Sequence, residues 1–232
     1  MGIYYQTQGK ISMNIEEQKQ KVAIAALDYI PEHAIIGVGT GSTVNYFIDA
    51  LPRIKHRLEG AVASSIATET RLKAAGIPVF DLNAVGAPAL YVDGADAFNA
   101  AHQLVKGGGG ALTREKILAA ASATFLCIVD SSKETKIFGE FPIPIEVIPM
   151  ARSYVAREIV KLHGNPVYRQ HFQTDNGNLI LDIHHWQILE PIHLEKTLNN
   201  IAGVVSNGLF ADKGADTILI GYQTGVRELA KF

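Results

Sequence analysis

Apolar and polar positions along this chain follow two rhythms. Short apolar runs at residues 34–38, 60–65, 78–82, 89–93 and 125–129 read as buried strands. Between them lie segments whose apolar residues return with helical spacing, at residues 14–29, 44–51, 68–75 and 113–121. In the first of these, Asn14 stands as a cap with Glu17 behind it, and Val22, Ala23, Ala26 and Ile30 form one stripe. Lys19 falls on the side of that stripe, where a lysine either snorkels to solvent or reaches a bound anion. Strands alternating with helices predict a largely parallel sheet, and such sheets bind ligands beyond the carboxyl ends of their strands.

The texture changes after Phe141. Pro142, Pro144 and Pro149 bracket a strand at 145–148, and a helix at 151–162 ends at Gly164. Runs at 167–173 and 179–184 flank Asn176-Gly177, a hairpin signal, and a helix at 194–200 leads to a strand at 204–209. Strand–helix–strand–strand–helix–strand is the order of a ferredoxin-like unit. One further buried strand at 217–221 returns to the first sheet. The expected fold is α/β: a largely parallel, Rossmann-like sheet flanked by helices, with an inserted ferredoxin-like α+β domain. The expected boundaries are residues 14–140 and 211–232 for the first domain and 141–210 for the smaller one, with 1–13 as a loose extension.

Composition removes several classes of function. The chain has 232 residues, 47% of them hydrophobic and 19% charged, which describes a globular protein with a sizeable core. A net charge of −2 gives no electrostatic case for nucleic acid or an acidic membrane. No apolar run reaches the roughly 18 residues of a membrane span. Cys127 is the single cysteine and lies in an apolar run, as a small core filler does. His163, His171, His184, His185 and His193 crowd the second unit without convergent metal-ligand spacing.

The chemistry concentrates between Tyr91 and Lys116. Y-V-D-G-A-D supplies Asp93 and Asp96 around Gly94 and Ala95. Lys106 then opens the four glycines Gly107 to Gly110, and Glu115 falls in the first turn of the next helix. Carboxylates move protons, while a lysine and backbone N–H groups stabilise an oxyanion, so this combination suits proton transfer on a small anion. Glycine in such number costs backbone entropy, which argues against an idle loop. A second loop, Gly39-Thr40-Gly41-Ser42-Thr43, joins a strand to a helix and so presents N–H groups and hydroxyls to an anion. Gly37 and Gly39 begin a dinucleotide fingerprint, but Ser42 occupies its third glycine position, and no Gly-Lys-Ser/Thr follows for a P-loop. The loop therefore reads as a site for one phosphate. Lys133, in S-S-K after the 125–129 strand, is a further cationic candidate.

These segments together resemble ribose-5-phosphate isomerase of the A type. The resemblance rests on D-G-A-D at Asp93–Asp96, K-G-G-G at Lys106–Gly109, Glu115, G-T-G-S-T at Gly39–Thr43, S-S-K, E-V-I-P-M-A-R-S at Glu146–Ser153 and T-D-N-G-N at Thr174–Asn178. It runs from about Asn14 to Lys231. It implies an isomerase that interconverts ribose 5-phosphate and ribulose 5-phosphate through an enediolate, in the non-oxidative pentose phosphate pathway, without cofactor or metal. By the same resemblance Glu115 is the base. Lys106 and the amides of Gly107, Gly108 and Gly109 hold the enediolate oxygens. Asp93, with Asp96 beside it, serves ring opening and hydroxyl binding. Thr40, Gly41, Ser42 and Thr43 take the phosphate or flanking hydroxyls, with Lys19 and Lys133 as cationic candidates. A cytoplasmic homodimer is implied as well. Ala97 departs from the family, which commonly carries glutamate there. The rival reading is a sugar-phosphate-sensing module of related fold, which would keep Gly39–Thr43 but has no need of Lys106 with Glu115.

Overall fold

The computed structural model describes residues 4–231, with side chains from Ile15 onward. Its first helix, α1 (Tyr4–Ala25), begins well before Asn14. Asn14 is thus inside the helix: a residue that favours caps is also tolerated mid-helix at small cost. The expected loose extension is helical as far back as Tyr4, and residues 1–3 lie outside the described residues. Val22, Ala23, Ala26 and Ile30 are buried, as their spacing requires.

The main sheet is built from β1 (Ala34–Val38), β2 (Leu58–Ala63), β3 (Leu90–Asp93), β6 (Phe125–Asp130), β12 (Thr217–Tyr222) and β13 (Gly225–Ala230). Its spatial order is β13-β12-β6-β3-β1-β2, with every pairing parallel except that of the edge strand β13 on β12. The five parallel strands follow the doubly wound order in which the chain turns back between its first and third strands. Helices α2 (Ser42–Ala50), α3 (Ile66–Ala74) and α4 (Leu112–Ala121) flank the sheet with α1. The 78–82 segment is not a strand. Val79 makes one bridge to Ala61, and Pro78, which has no N–H, cannot extend a ladder. The edge strand β13 was not anticipated, because its burial follows no apolar alternation.

Three short strands, β4 (Ala97–Phe98), β5 (Leu104–Val105) and β11 (Leu209–Phe210), form a separate antiparallel ribbon absent from the sequence reading. Pairs this short carry no periodic signal. The ribbon matters because β4 and β5 fold back with Ala97 opposite Val105, which sets Asp96 beside Lys106. Ala97 packs with Val105 and Phe138 in an apolar cluster, so this chain fills the position with a methyl group.

The remaining elements are β7 (Ile143–Val147), α5 (Arg152–Lys161), β8 (Asn165–Tyr168), β9 (Leu179–His184), α6 (Pro191–Asn199) and β10 (Val204–Asn207). Their sheet is wholly antiparallel in the order β10-β7-β9-β8, the ferredoxin-like arrangement. Two expectations need correction. The 204–209 run breaks at Gly208 into β10 and β11, which belong to different sheets; a Cβ there would stand 2.3 Å from the Lys106 carbonyl oxygen. The 167–173 strand is shorter than expected, since β8 ends at Tyr168, although Asn176-Gly177 does turn the chain back towards β9: Gly177 N–H donates to the Thr174 carbonyl at 2.9 Å and Thr174 N–H to the Asn178 carbonyl at 3.0 Å. Among the described residues no helix is long and apolar enough to cross a membrane.

Candidate active site

The reversal of strand order between β1 and β3 leaves a crevice at their carboxyl ends. Val38 pairs with Val92, and Gly39 N–H continues the contact to the Val92 carbonyl at 2.9 Å. A Cβ on Gly39 would stand 1.9 Å from the Asp93 carboxylate, so only glycine lets the two strand ends close. Gly41, at φ +120°, turns the chain into the N-terminus of α2 and faces open space. The first amides of α2 have no intrahelical partners and, with the helix dipole, favour an anion. Ser65 donates to Thr40 Oγ1 at 3.1 Å, and Thr68 Oγ1 donates to the Gly39 carbonyl at 2.6 Å, which holds the loop from behind. Lys19 from α1 and Lys133 from the turn after β6 complete the rim of this cleft. Lys19 is paired with Glu16 at 2.7 Å, and Tyr46 donates to the other Glu16 oxygen. The hydrogen bond from Lys19, then that from Tyr46, holds the Glu16 carboxyl below its ordinary pKa.

Beneath the cleft three charges are buried together. Asp93 is 0% exposed, Lys106 2% and Glu115 3%. Asp93 Oδ1 accepts from Thr40 N–H at 3.1 Å and Gly94 N–H at 2.7 Å. Its Oδ2 accepts from the Tyr91 hydroxyl and lies 2.7 Å from Lys106 Nζ. Lys106 also donates to the Gly94 carbonyl and approaches Glu115 Oε2 at 3.2 Å. Burial pulls the ammonium towards neutrality, but the charges of Asp93 and Glu115 outweigh it and hold Lys106 above its ordinary value. Burial, and then the charge of Asp93, holds the Tyr91 phenol well above its own.

Glu115 faces inward because it shares the buried stripe of α4 with Leu112 and Leu118. The contact with Lys106 is an ion pair without hydrogen-bond alignment, and Glu115 Oε2 has no hydrogen-bond donor among the described residues. The first turn of a helix favours a carboxylate, as does Lys106, but desolvation prevails and raises Glu115 to about 8. A carboxyl group poised near neutrality and close to a cleft is suited to take and return a proton.

The glycine loop forms the opposite wall. Gly108 N–H donates to Asp96 Oδ2 at 2.8 Å, and Gly110 N–H donates to the Gly107 carbonyl at 2.8 Å. Gly107 and Gly110 have φ +95° and +85°, values that suit glycine. A cleft of about 140 Å³ lies between this loop, Asp96 and the Gly39–Thr43 loop. Among the described residues no group of three or more His, Cys, Asp and Glu side chains could hold a metal ion.

Comparison with known proteins accords with this geometry. Residues 60–225 match the family model of ribose 5-phosphate isomerase A (phosphoriboisomerase A). The chain belongs to that family. Ribose 5-phosphate isomerase A from Neisseria gonorrhoeae is 42% identical with a TM-score of 0.91, over 93% of this chain and 96% of that one. The enzyme from Methanocaldococcus jannaschii is 37% identical with a TM-score of 0.89, over 93% and 99%. A D-ribose-5-phosphate isomerase in complex with phospho-erythronic acid is 36% identical with a TM-score of 0.90, over 94% and 100%. The chain is accordingly an isomerase acting on ribose 5-phosphate.

Of the residues singled out in the sequence, Lys19, Thr40 to Thr43, Gly94 to Asp96, Lys106 to Gly109, Glu115 and Lys133 all border one cleft. Asp93 differs: it lies behind the cleft wall, with both oxygens engaged. Gly108 N–H is likewise committed to Asp96 rather than open. Three supporting residues escaped the sequence reading. In the sequence Tyr91 reads only as part of an apolar run. Glu146, 0% exposed, accepts from Thr113 at 2.5 Å, Thr174 at 2.9 Å, Asn176 at 3.1 Å and Asn178 at 2.8 Å, and so anchors the first turn of α4. Arg169 reaches the Gly108 carbonyl at 3.1 Å. The joint presence of E-V-I-P-M-A-R-S and T-D-N-G-N was the available signal for Glu146; Arg169 had none.

Proposed function

We propose that Glu115 carries the proton between C2 and C1 of the open-chain sugar. Glu115 takes the C2 proton as the electron pair of that C–H bond forms the enediolate double bond. The aldehyde oxygen takes up the negative charge. Transfer of the O2 proton to O1 and return of the proton from Glu115 to C1 then give the ketose. Lys106, fixed between Asp93 and Glu115, supplies positive charge beneath the developing oxyanion, and the Gly109 amide faces it from the loop. Asp96, the carboxylate that borders the cleft, serves ring opening. Asp93 acts by orienting Lys106 and the Thr40 amide. The phosphate sits on Thr40, Gly41, Ser42 and Thr43 between Lys19 and Lys133. Residues 14–140 and 211–232 act as the catalytic domain and 141–210 as a smaller supporting one, in a cytoplasmic homodimer of the non-oxidative pentose phosphate pathway.

The observation that carries this reading is the buried Glu115 carboxyl group, whose Oε2 has no hydrogen-bond donor among the described residues, bordering the cleft that the helix-terminal loop also lines. The test is incubation of the protein with ribose 5-phosphate or ribose, with ketose formation followed by absorbance. Turnover of the phosphate ester alone is expected, together with competitive inhibition by phospho-erythronic acid, the four-carbon acid held by one relative. Binding of ribose 5-phosphate without turnover would return the sensing module to first place.

A further inference from the structure

We propose that Arg169 is a positioning residue that fixes the Gly108–Gly109 peptide so that the Gly109 N–H points to the enediolate; the proposal rests on the isomerase reading above. Arg169 follows β8 and enters the site from the antiparallel sheet. Its Nε and Nη2 form a fork onto Asp182, with Nε–Oδ2 2.8 Å and Nη2–Oδ1 2.5 Å. That fork fixes the guanidinium plane, and the remaining nitrogen, Nη1, donates to the Gly108 carbonyl at 3.1 Å. The guanidinium also lies 5.3 Å from the Phe172 ring centre. Phe172 closes over Gly110, where a Cβ would stand 2.2 Å from the ring.

A trans peptide points its N–H opposite to its carbonyl. Peptide bonds in the described structure are all trans, so a Gly108 carbonyl held outward by Arg169 turns the Gly109 N–H the other way. That way is the cleft: Gly109 borders it, is exposed, and a Cβ there would meet nothing within 4 Å. The neighbouring amide cannot substitute, because Gly108 N–H is bound to Asp96. Consecutive glycines offer little resistance to a peptide flip. A flip would aim the Gly108 carbonyl at the developing negative charge in place of a donor. Arg169 opposes that flip with a charge-assisted hydrogen bond anchored outside the loop.

The experiment compares wild type with Arg169→Ala and Arg169→Lys. Loss of one oxyanion donor costs about 10²–10³ in kcat. Arg169→Ala is expected to lose about 10²-fold in kcat with KM for ribose 5-phosphate nearly unchanged. Its affinity for phospho-erythronic acid, whose carboxylate mimics the enediolate, should fall in parallel, while inorganic phosphate binds as before. Millimolar guanidinium should restore part of the turnover. Arg169→Lys keeps the charge against Asp182 but lacks the fork, so it should show the same split, and it carries the test should the alanine variant fail to fold. A kcat within about threefold of wild type in the folded variant overturns the proposal. So does a loss of phosphate affinity equal to the loss of phospho-erythronic acid affinity. Absence of turnover in wild type would defeat the isomerase reading itself, a result distinct from either.

Discussion

Glu115 and Lys106 face each other across 3.2 Å with almost no access to water, one at the first turn of a helix and the other after a short ribbon strand. Neither charge would be stable alone at that depth. Lys106 keeps its proton because two carboxylates surround it. Asp93 makes the closer contact with the ammonium and accepts three further hydrogen bonds, while Glu115 stands further off. Asp93 thus holds Lys106 in place through fixed hydrogen bonds, and Glu115 is left able to exchange a proton.

Replacement of the base tests this division. Glu115→Gln keeps the size of the side chain and removes its capacity to take a proton. The expected result is a fall in kcat of about 10²-fold or more, with KM for ribose 5-phosphate close to wild type. Steady-state kinetics with near-normal kcat would remove Glu115 from the proton path.

The pH dependence follows from the raised carboxyl group. Glu115 acts as a base only when ionised, and burial has moved it up to about 8. The value of kcat/KM should therefore climb as pH rises through 7 to 9 and level off above that range. An acid limb centred at the ordinary carboxylate value near 4.3 would show that Glu115 is solvated in the working enzyme.

Asp93 is expected to matter for stability as much as for rate. Asp93→Asn replaces one carboxylate oxygen with a donor amide amid Thr40 N–H, Gly94 N–H, the Tyr91 hydroxyl and Lys106. Breaking a buried ion pair from one side costs about 3–5 kcal/mol. Urea unfolding should register a loss of that order, since the amide group cannot face both Lys106 and the backbone N–H groups as an acceptor. Wild-type stability in this variant would contradict the observed bonding.

The phosphate loop separates geometry from chemistry. Gly41→Val places a branched side chain at φ +120°, a conformation that valine resists whatever the space around it. Thr43→Ala removes a hydroxyl worth roughly 1.5–3 kcal/mol if it bonds a charged group. Calorimetric titration should show weaker ribose 5-phosphate binding in both, with the larger loss in Gly41→Val, and little change for ribose. Undiminished affinity in both variants would place the phosphate elsewhere.

Much of this was legible in one dimension, and the physical reason is locality. The 34–38 and 179–184 strands coincide with β1 and β9, and the carboxylates, the lysine and the two glycine loops are continuous motifs. Hydrophobic period, glycine at a tight turn and donors at a helix start depend on near neighbours in the chain. By contrast, the helix start at Asn14 failed because the helix continues upstream of a residue that favours caps, and the 78–82 strand failed because Pro78 has no N–H for a ladder and only Val79 makes a bridge.

The sequence by itself determined the order of strands and helices, the inventory of reactive groups and the exclusion of a dinucleotide fingerprint. Only the tertiary structure decided how those groups divide their work. The parallel register of β1 against β3 puts Asp93 behind Gly39 and away from the cleft, which no spacing in the sequence expresses. The pairing of β4 with β5 sets Asp96 against the glycine loop, and the second sheet contributes Arg169 to the same loop. The charge state of Glu115 was undecidable in advance, because the helix terminus and Lys106 lower its pKa while desolvation raises it. Desolvation is a property of everything packed around the side chain, so its victory could be read only once the chain was folded.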